Sequence, residues 1–490
     1  MSSLTPYVKS VLIGSLLFIS LPSCASTHHS HKKAAPDMIE NNRVNLDQMV
    51  GGICRRADTG VFAQSLTSGK ILYTYKADTP FSPASNMKTI TAYAALKYLG
   101  PNFRFHTQLL TDGVMAPNGV LAGNLYVKFD GDPSLQLQDL DAMVAQLSAL
   151  NIRTIQGNLV IDSSRFGTEG ASPGTVDTDR RYCYGASVEA AILNENCLSF
   201  HLLPATRVGD PARLDLPYGM VLPSMSTVST SSSRNCHLAM VPDANGDYRV
   251  DGCVSVNAKP SSLTVPVPQG SKLGEAAMVA LLQRHQVAVV GDKRFVVNGN
   301  KASMKVLVDL PSKTLAELVV PMMKNSDNLF ANTLFKTVGS RYYQQPGTWQ
   351  NSASAVKAIL QANGVETSSM VIIDGSGLSR NNLVSARQFV QVLRAAHRDA
   401  LISEVYFNAL PVGGMNGTLK HRLGFHDTIG KVHAKTGSMK GVSTLSGYIE
   451  TKNNDLIMFS ILVNDFNGSL YQYRTFEDNA CRYLLAQYSK

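Results

Sequence analysis

The stretch Pro83-Ala84-Ser85-Asn86-Met87-Lys88-Thr89-Ile90-Thr91 constrains the fold of this chain more than any other. An apolar segment, Ala92 to Leu99, follows it without proline or glycine until Gly100. That pattern predicts a helix of about three turns, opened near Pro83 and closed by a glycine. Positions i and i+3 share a helix face, so Ser85 and Lys88 are neighbours. A serine hydroxyl is a weak nucleophile at its own pKa, and a partly desolvated lysine is neutral enough to take its proton. Ser-x-x-Lys alone is weak evidence. It recurs at Ser30-His31-Lys32-Lys33 in a polar tail and at Ser354-Ala355-Val356-Lys357, which reads as a solvated helix face.

The 490 residues suggest about three domains. With 44% apolar and 17% charged residues, the chain has the composition of a folded soluble protein. Its formal charge of +9 suits an anionic partner such as a cell-wall polymer or a membrane surface. No Arg-rich stripe with interleaved aromatics is present, which argues against nucleic acid. Lys9 precedes an apolar run, Val11 to Leu21, too short to span a bilayer as a helix. The run ends in Leu21-Pro22-Ser23-Cys24-Ala25, so residues 1–25 read as a secretory signal. Two processing routes stay open: cleavage after Ala25, or lipidation of Cys24, which would tether the protein to a membrane. Residues 26–41 form a polar linker, and its His28, His29 and His31 beside Lys32 and Lys33 fit a solvated tether better than a metal site.

Export changes how the cysteines read. Besides Cys24 there are Cys54, Cys183, Cys197, Cys236, Cys253 and Cys481. An even number in an oxidising compartment suggests disulfides. Sequence proximity favours Cys183 with Cys197 and Cys236 with Cys253, which leaves Cys54 with Cys481. Free buried thiols are the alternative. No Cys-x-x-Cys is present to suggest zinc.

Residues 42–103 read as helix, hairpin, helix, with strands at Val61 to Leu66 and Lys70 to Tyr75 around Thr67-Ser68-Gly69. From about 104 to 300 short β-like runs dominate, among them Phe105 to Thr111, Gly123 to Phe129, Gly157 to Ile161, Leu214 to Leu222 and Ser261 to Val267. Helical patterns there are fewer, at Asp139 to Leu150 and Gly274 to His285. The block reads as β-rich domains inserted after the Ser85 helix. Gly170-Ala171-Ser172-Pro173-Gly174 matches Gly-x-Ser-x-Gly, but a nucleophile elbow needs a strand before it and a helix after it, and Pro173 argues for a loop. Beyond 300 helices return: Thr314 to Val320, with Pro321 as a break or kink, then Leu329 to Val338, Ala355 to Asn363 and Ser385 to His397. Strands follow at Val432 to Lys435, Ser443 to Glu450 and Leu456 to Val463, and a helix at Tyr471 to Gln487 closes the chain.

Three elements then stand in order: Ser85-x-x-Lys88, Ser326-Asp327-Asn328 and Lys435-Thr436-Gly437, the last occurring once. Through them the chain resembles the penicillin-binding proteins and serine β-lactamases. The long insertion between the first two motifs is similar to the low-molecular-mass class C group, the penicillin-binding protein 4 type of D-Ala-D-Ala carboxypeptidase/endopeptidase. Gly131-Asp132-Pro133-Ser134-Leu135, Ile161-Asp162-Ser163-Ser164-Arg165-Phe166, the Asp374-Gly375-Ser376-Gly377-Leu378-Ser379-Arg380 loop and Lys435-Thr436-Gly437-Ser438 support the resemblance. It implies an α+β fold: a serine penicillin-binding/β-lactamase-like transpeptidase domain, with an antiparallel sheet flanked by helices, carrying inserted β-rich domains. The catalytic domain would span 42–103 and 301–490, a second domain 104–163 and 275–300, and a third 164–274.

The resemblance also implies roles. Ser85 would be the acylated nucleophile and Lys88 its base. Ser326 would relay a proton to the leaving D-alanine amine, Asn328 would hold the acyl-side amide, and Lys435 would supply positive charge. Thr436 would bind the terminal carboxylate, with Gly437 and Ser438 lining the substrate strand and the N–H groups of Ser85 and Ser438 forming the oxyanion hole. Arg380 resembles the contact to the carboxylate of the peptide's diamino acid, and Asp162 would approach the same side chain. Lys440 stands where the family often has a neutral polar residue. Ser326 as a plain helix cap and Arg380 as a structural ion pair are the bland alternatives. The implied substrates are peptidoglycan stem peptides and cross-links in the periplasm, with β-lactams as covalent inhibitors and no metal or cofactor. The rival functions are a β-lactamase, for which no convincing deacylating Glu is found, and a non-catalytic penicillin-sensing or wall-binding module.

Overall fold

The computed structural model describes residues 45–222, 225–242, 248–267, 269–296, 304–453 and 455–488. The signal stretch with Cys24 and the histidine-bearing linker lie outside the described residues. The helices, in chain order, are α1 (Leu46–Cys54), α2 (Met87–Leu99), α3 (Leu137–Ala149), α4 (Gly270–Arg284), α5 (Leu315–Lys324), α6 (Asn328–Tyr343), α7 (Trp349–Ala362), α8 (Ala386–Arg398), α9 (Ser403–Ala409) and α10 (Leu470–Tyr488). None of the described helices is long and apolar enough to cross a membrane.

The catalytic body is built on one antiparallel sheet of five strands, ordered Ile71–Tyr75, Asp58–Ser65, Leu456–Asn464, Val442–Glu450, Val432–Met439. The three inner strands are buried along nearly their whole length, because helices cover both faces. Leu456–Asn464 accordingly reads as a near-continuous apolar run, while the other two bury Thr59, Ser443, Thr444 and Ser446 among their apolar residues. One face packs on α1 and α10 through Phe459, Ile461, Tyr473 and Leu484. The other packs on α8 and on the helical layer of α2 and α5 to α7. Helix α2 lies inside that layer, with every residue from Met87 to Leu96 buried. A helix so enclosed has no polar stripe, which matches its sequence.

The insertion leaves after α2 and returns before α5. Its first part is a five-stranded mixed sheet, ordered Lys293–Val296, Leu159–Asp162, Leu125–Lys128, His106–Thr111, Lys305–Pro311, with α3 and α4 packed on it. Strand Lys305–Pro311 pairs antiparallel with His106–Thr111, so this segment completes the insertion's sheet and does not start the catalytic body at 301 as the sequence suggested. The second part carries two three-stranded sheets, one ordered Arg213–Asp215, Cys197–Leu203, Ser261–Pro266 and the other Ser229–Ser231, Tyr248–Ser255, Leu238–Pro242.

The Cys183–Cys197 and Cys236–Cys253 disulfides form as expected. The expected Cys54–Cys481 bridge does not: Cys481 is a free, buried thiol. It sits on the inner face of α10 with Ala480, Leu484 and Leu485, so packing turns its sulfur into the core. Two local expectations also change. Leu214 to Leu222 is a three-residue strand followed by a turn at Pro217–Gly219, in which Tyr218 adopts a left-handed φ of 55°. Helix α5 continues past Pro321 without a break, losing one ladder bond while Asn325 N–H still reaches the Pro321 carbonyl.

Candidate active site

The turn that carries Ser85 is held by the adjacent strands Val432–Met439 and Val442–Glu450. A 3-10 turn, Ala84–Asn86, feeds directly into α2, with Ala84 at a left-handed φ of 46°. Thr444 Oγ1 donates to the Pro83 carbonyl at 2.9 Å, and Asn86 Nδ2 donates to Ser446 Oγ at 2.8 Å. Asn86 therefore ties the turn to the sheet strand opposite Lys435 and does not contact Lys88. Gly437 passes so close that a Cβ there would meet Thr444 Oγ1, the Pro83 carbonyl at 2.7 Å and the Ser85 nitrogen at 3.0 Å. Glycine at the third position of Lys-Thr-Gly thus lets the strand reach the backbone of the nucleophile.

Lys88 is fully buried, and its Nζ donates to three oxygens: Ser85 Oγ at 3.0 Å, Asn328 Oδ1 at 2.7 Å and the Ser376 carbonyl at 2.8 Å. Burial lowers its pKa to about 7, against the weaker opposing pull of Asp374 and Asp327. Near neutrality a large share of it is the free amine that a general base requires.

Ser326 sits just before α6 in a left-handed conformation, φ 62°. Strain of that kind costs on the order of 1–3 kcal/mol and is characteristic of functional positions. Ser326 does not cap the helix, because Asp327 does, accepting from Phe330 N–H at 3.0 Å. Lys435, also fully buried, donates to Ser326 Oγ at 2.8 Å and to the Thr436 carbonyl at 2.8 Å. Burial holds its pKa well below the usual lysine value, and the nearby charge of Lys88 pushes it further down. The structure therefore gathers Ser85, Lys88, Ser326, Asn328 and Lys435 into one hydrogen-bonded set.

Lys435 to Ser438 lie on the edge strand of the sheet. Chain segment 411–413 bonds to Val432 and Ala434 and so covers only the first half of that edge. Beyond it, Thr436 Oγ1 donates to Thr418 Oγ1 at 2.7 Å, and Ser438 is exposed. A cleft of about 830 Å³ opens here, lined by Ser85, Ser326, Thr436, Ser438, Phe425 and Arg474 among others. Arg380 is exposed and donates to the Lys440 carbonyl at 3.1 Å, which leaves the Lys440 side chain free in solvent. Asp162 ends its strand 5% exposed, accepts from Ser164 N–H at 2.9 Å and is not part of the cleft lining.

Several residues of the site carry no motif. Asp374 is buried and accepts from Gly377 N–H at 2.9 Å, Ser379 N–H at 3.0 Å and Asn382 Nδ2 at 2.8 Å, which sets the loop that offers the Ser376 carbonyl to Lys88. Gly377, at φ +81°, presses against the Ala84 carbonyl where a Cβ would collide. Ser172, the serine of the Gly-x-Ser-x-Gly match, is a loop residue that donates to Asp374 at 2.9 Å. Tyr184, inside the Cys183–Cys197 loop of the insertion, accepts from Asn328 Nδ2 at 2.9 Å through its backbone carbonyl. That bond fixes the amide so that Oδ1 faces Lys88. Glu195, from the same loop, lies against Asp327, and burial followed by that carboxylate raises its pKa to about 7. The sequence pointed to the Asp374 loop, to Ser172 and to the Cys183–Cys197 pair, but to neither Tyr184 nor Glu195.

Comparison with known proteins places this geometry. A profile of the D-Ala-D-Ala carboxypeptidase 3 (S13) family matches residues 43–480. The chain is 31% identical over 432 residues to D-alanyl-D-alanine carboxypeptidase DacB of Haemophilus influenzae, covering 86% of this chain and 89% of that one. It is 32% identical over 427 residues to D-alanyl-D-alanine carboxypeptidase of Actinomadura sp., covering 84% and 78%. The crystal structure of penicillin binding protein 4 from H. influenzae superposes with a TM-score of 0.79 at 29% identity, over 90% of this chain and all of that one. The same protein complexed with a β-lactam superposes at 0.76 with the same identity and coverage.

Proposed function

The chain belongs to the D-Ala-D-Ala carboxypeptidase 3 (S13) family, and on that premise we propose a mechanism in which Ser85 carries the acyl group and Lys88 removes its proton. The protein is a serine D-Ala-D-Ala carboxypeptidase. The single observation that carries the mechanism is the Lys88 amine, buried, brought near neutrality and 3.0 Å from Ser85 Oγ.

As Lys88 takes the hydroxyl proton, Ser85 Oγ bonds to the carbonyl carbon of the penultimate D-alanine. The N–H groups of Ser85 and Ser438 meet the oxyanion, and each such donor is worth about 3 kcal/mol. Ser326, hydrogen-bonded to Lys435, passes its hydroxyl proton to the leaving nitrogen as the C–N bond breaks and regains one from the Lys88 ammonium, which returns to the free amine. D-Alanine departs, and water releases the acyl group with Lys88 again as base. Asn328 holds the acyl-side amide, Thr436 the terminal carboxylate, and Arg380 at the rim the carboxylate of the diamino acid. A β-lactam enters by the same attack and stays, because its opened ring remains attached where the leaving group would depart.

The reading extends to D,D-cross-links, whose leaving group is also a D-amino acid, and the open cleft beyond Thr436 supports it. The secretory-signal pattern of residues 1–25 supports a periplasmic location, reached by cleavage or by a Cys24 anchor. Intact-protein mass after penicillin treatment tests the core of the proposal. A penicilloyl adduct on the wild type and none on Ser85→Ala is expected. An adduct that persists in Ser85→Ala moves the nucleophile elsewhere. Acylation without D-alanine release from a pentapeptide makes the protein a sensor instead.

A further inference from the structure

We propose that Arg474 binds the carboxylate of the departing D-amino acid from a helix that carries none of the three motifs. The inference rests on the Ser85 acyl-enzyme reading and names the side of the substrate that the reading leaves open.

Arg474 projects from α10, an element that contributes none of the three motifs. It lines the same cleft as Ser85, and its Nη2 donates to Ser438 Oγ at 3.2 Å. Ser438 is the residue whose N–H faces the oxyanion, so this bond fixes how far the guanidinium stands from the reacting carbon. In the substrate only an N–Cα and a Cα–C bond, each about 1.5 Å, separate the leaving nitrogen from its carboxylate. The carboxylate therefore falls within about 5 Å of the scissile carbon, on the side where Ser438 and Arg474 meet.

The charge pattern agrees. Arg422, the neighbouring guanidinium, is already matched by Glu477 and Asp478 at 2.8 and 2.7 Å. No carboxylate lies within ion-pair distance of Arg474 among the described residues, and it uses one donor of the five a guanidinium carries. Such a fork suits a carboxylate in two-point contact. Thr436 Oγ1 stands on the same strand, two residues away, so a hydroxyl and a guanidinium frame one anion.

The test compares Arg474→Gln and Arg474→Lys with wild type on three substrates: a D-Ala-D-Ala peptide, its C-terminal amide, and a D,D-cross-linked dimer. Arg474→Gln should lower kcat/KM roughly 10- to 100-fold on both acids, the loss of a charged hydrogen-bonded pair. It should leave the amide within about twofold, and Arg474→Lys should recover part of the loss. Equal losses on acid and amide would show a structural role and overturn the subsite. Penicilloylation of each variant, read by mass, separates this failure from failure of the Ser85 reading, since without an adduct on wild type no variant is informative about Arg474.

Discussion

Replacing Asn328 by aspartate tests the base directly. Asn328 Oδ1 lies 2.7 Å from Lys88 Nζ, so Asn328→Asp places a full negative charge there with almost no change of shape. Coulomb's law at an effective dielectric of about 20 gives an upper bound of about 6 kcal/mol for that pair. Opposite charges at this range shift pKa values by about 1–3 units in proteins. In the wild type the free amine governs acylation, so the log rate should climb with slope one up to pH of about 7 and then level. In the variant the carboxylate favours the ammonium, and the bend should move to about pH 8–10. At pH 7 the amine fraction then falls from about a half to between about a tenth and a thousandth, so acylation slows roughly 5- to 500-fold. Above the new bend the rate should return toward its plateau. The assay is the second-order rate of penicillin acylation from pH 5 to 10.5, corrected for uncatalysed hydrolysis. Loss of the amide contact lowers the plateau at every pH, so only the position of the bend is diagnostic. An unmoved bend in Asn328→Asp, or a wild-type profile flat below pH 7, refutes Lys88 as the group that titrates.

Gly437→Ala would drive a methyl into Thr444 Oγ1 and toward the Ser85 nitrogen, so it should cut acylation at least 100-fold while circular dichroism stays native; a rate within threefold of wild type contradicts the close approach. Replacing Cys183 and Cys197 together by serine frees the loop that holds Asn328 through the Tyr184 carbonyl, and a roughly 10-fold lower acylation rate with unchanged helical content is expected. Equal rates would make that loop a bystander. Glu195 has a folded pKa raised to about 7, so the folded state holds a proton that the unfolded chain loses near its ordinary value of 4.5. Its contribution to stability is complete below about pH 4.5 and is lost as pH rises toward 7. Glu195→Gln should therefore raise Tm at pH 8, by an amount equivalent to about 1 kcal/mol after allowance for its half-exposed position, and leave it unchanged at pH 4; a uniform shift at both pH values would remove the carboxyl pair as its cause.

The candidate site was legible because it is written in short motifs. Ser85 and Lys88 share a helix turn, and that adjacency follows from spacing alone. Lys-Thr-Gly announces itself as one glycine on a strand, and the structure gives the reason in the Gly437 contact. The order of most helices and strands followed from apolar periodicity, but α9 and the strands Leu238–Pro242, Tyr248–Ser255 and Lys305–Pro311 were not picked out. What stayed hidden depends on pairs far apart in sequence. Arg474, Tyr184 and Glu195 belong to ordinary-looking segments, and only folding brings them to the site. The Cys54–Cys481 error has the same origin: counting cysteines cannot show that Cys481 points inward from α10. The boundary near 301 was misplaced because strand Lys305–Pro311 looks like any strand until its partner, His106–Thr111, is known.

The order of the central sheet dictates when the enzyme becomes reactive. Strand Asp58–Ser65, from the start of the chain, is hydrogen-bonded along its whole length to Leu456–Asn464, near the end. The strand carrying Lys435 reaches that core only through Val442–Glu450, and Asn328 meets Lys88 across 240 residues of sequence. No N-terminal fragment can assemble the nucleophile with its base and its oxyanion strand. While the chain is still emerging, Ser85 sits on a helix whose burying partners have not been made, and Lys88, wet and fully charged, takes no proton from it. Reactivity is thus the last property the chain acquires, and contacts of such long range also make its folding slow. A carboxypeptidase built in this way is silent until its final strands are in place.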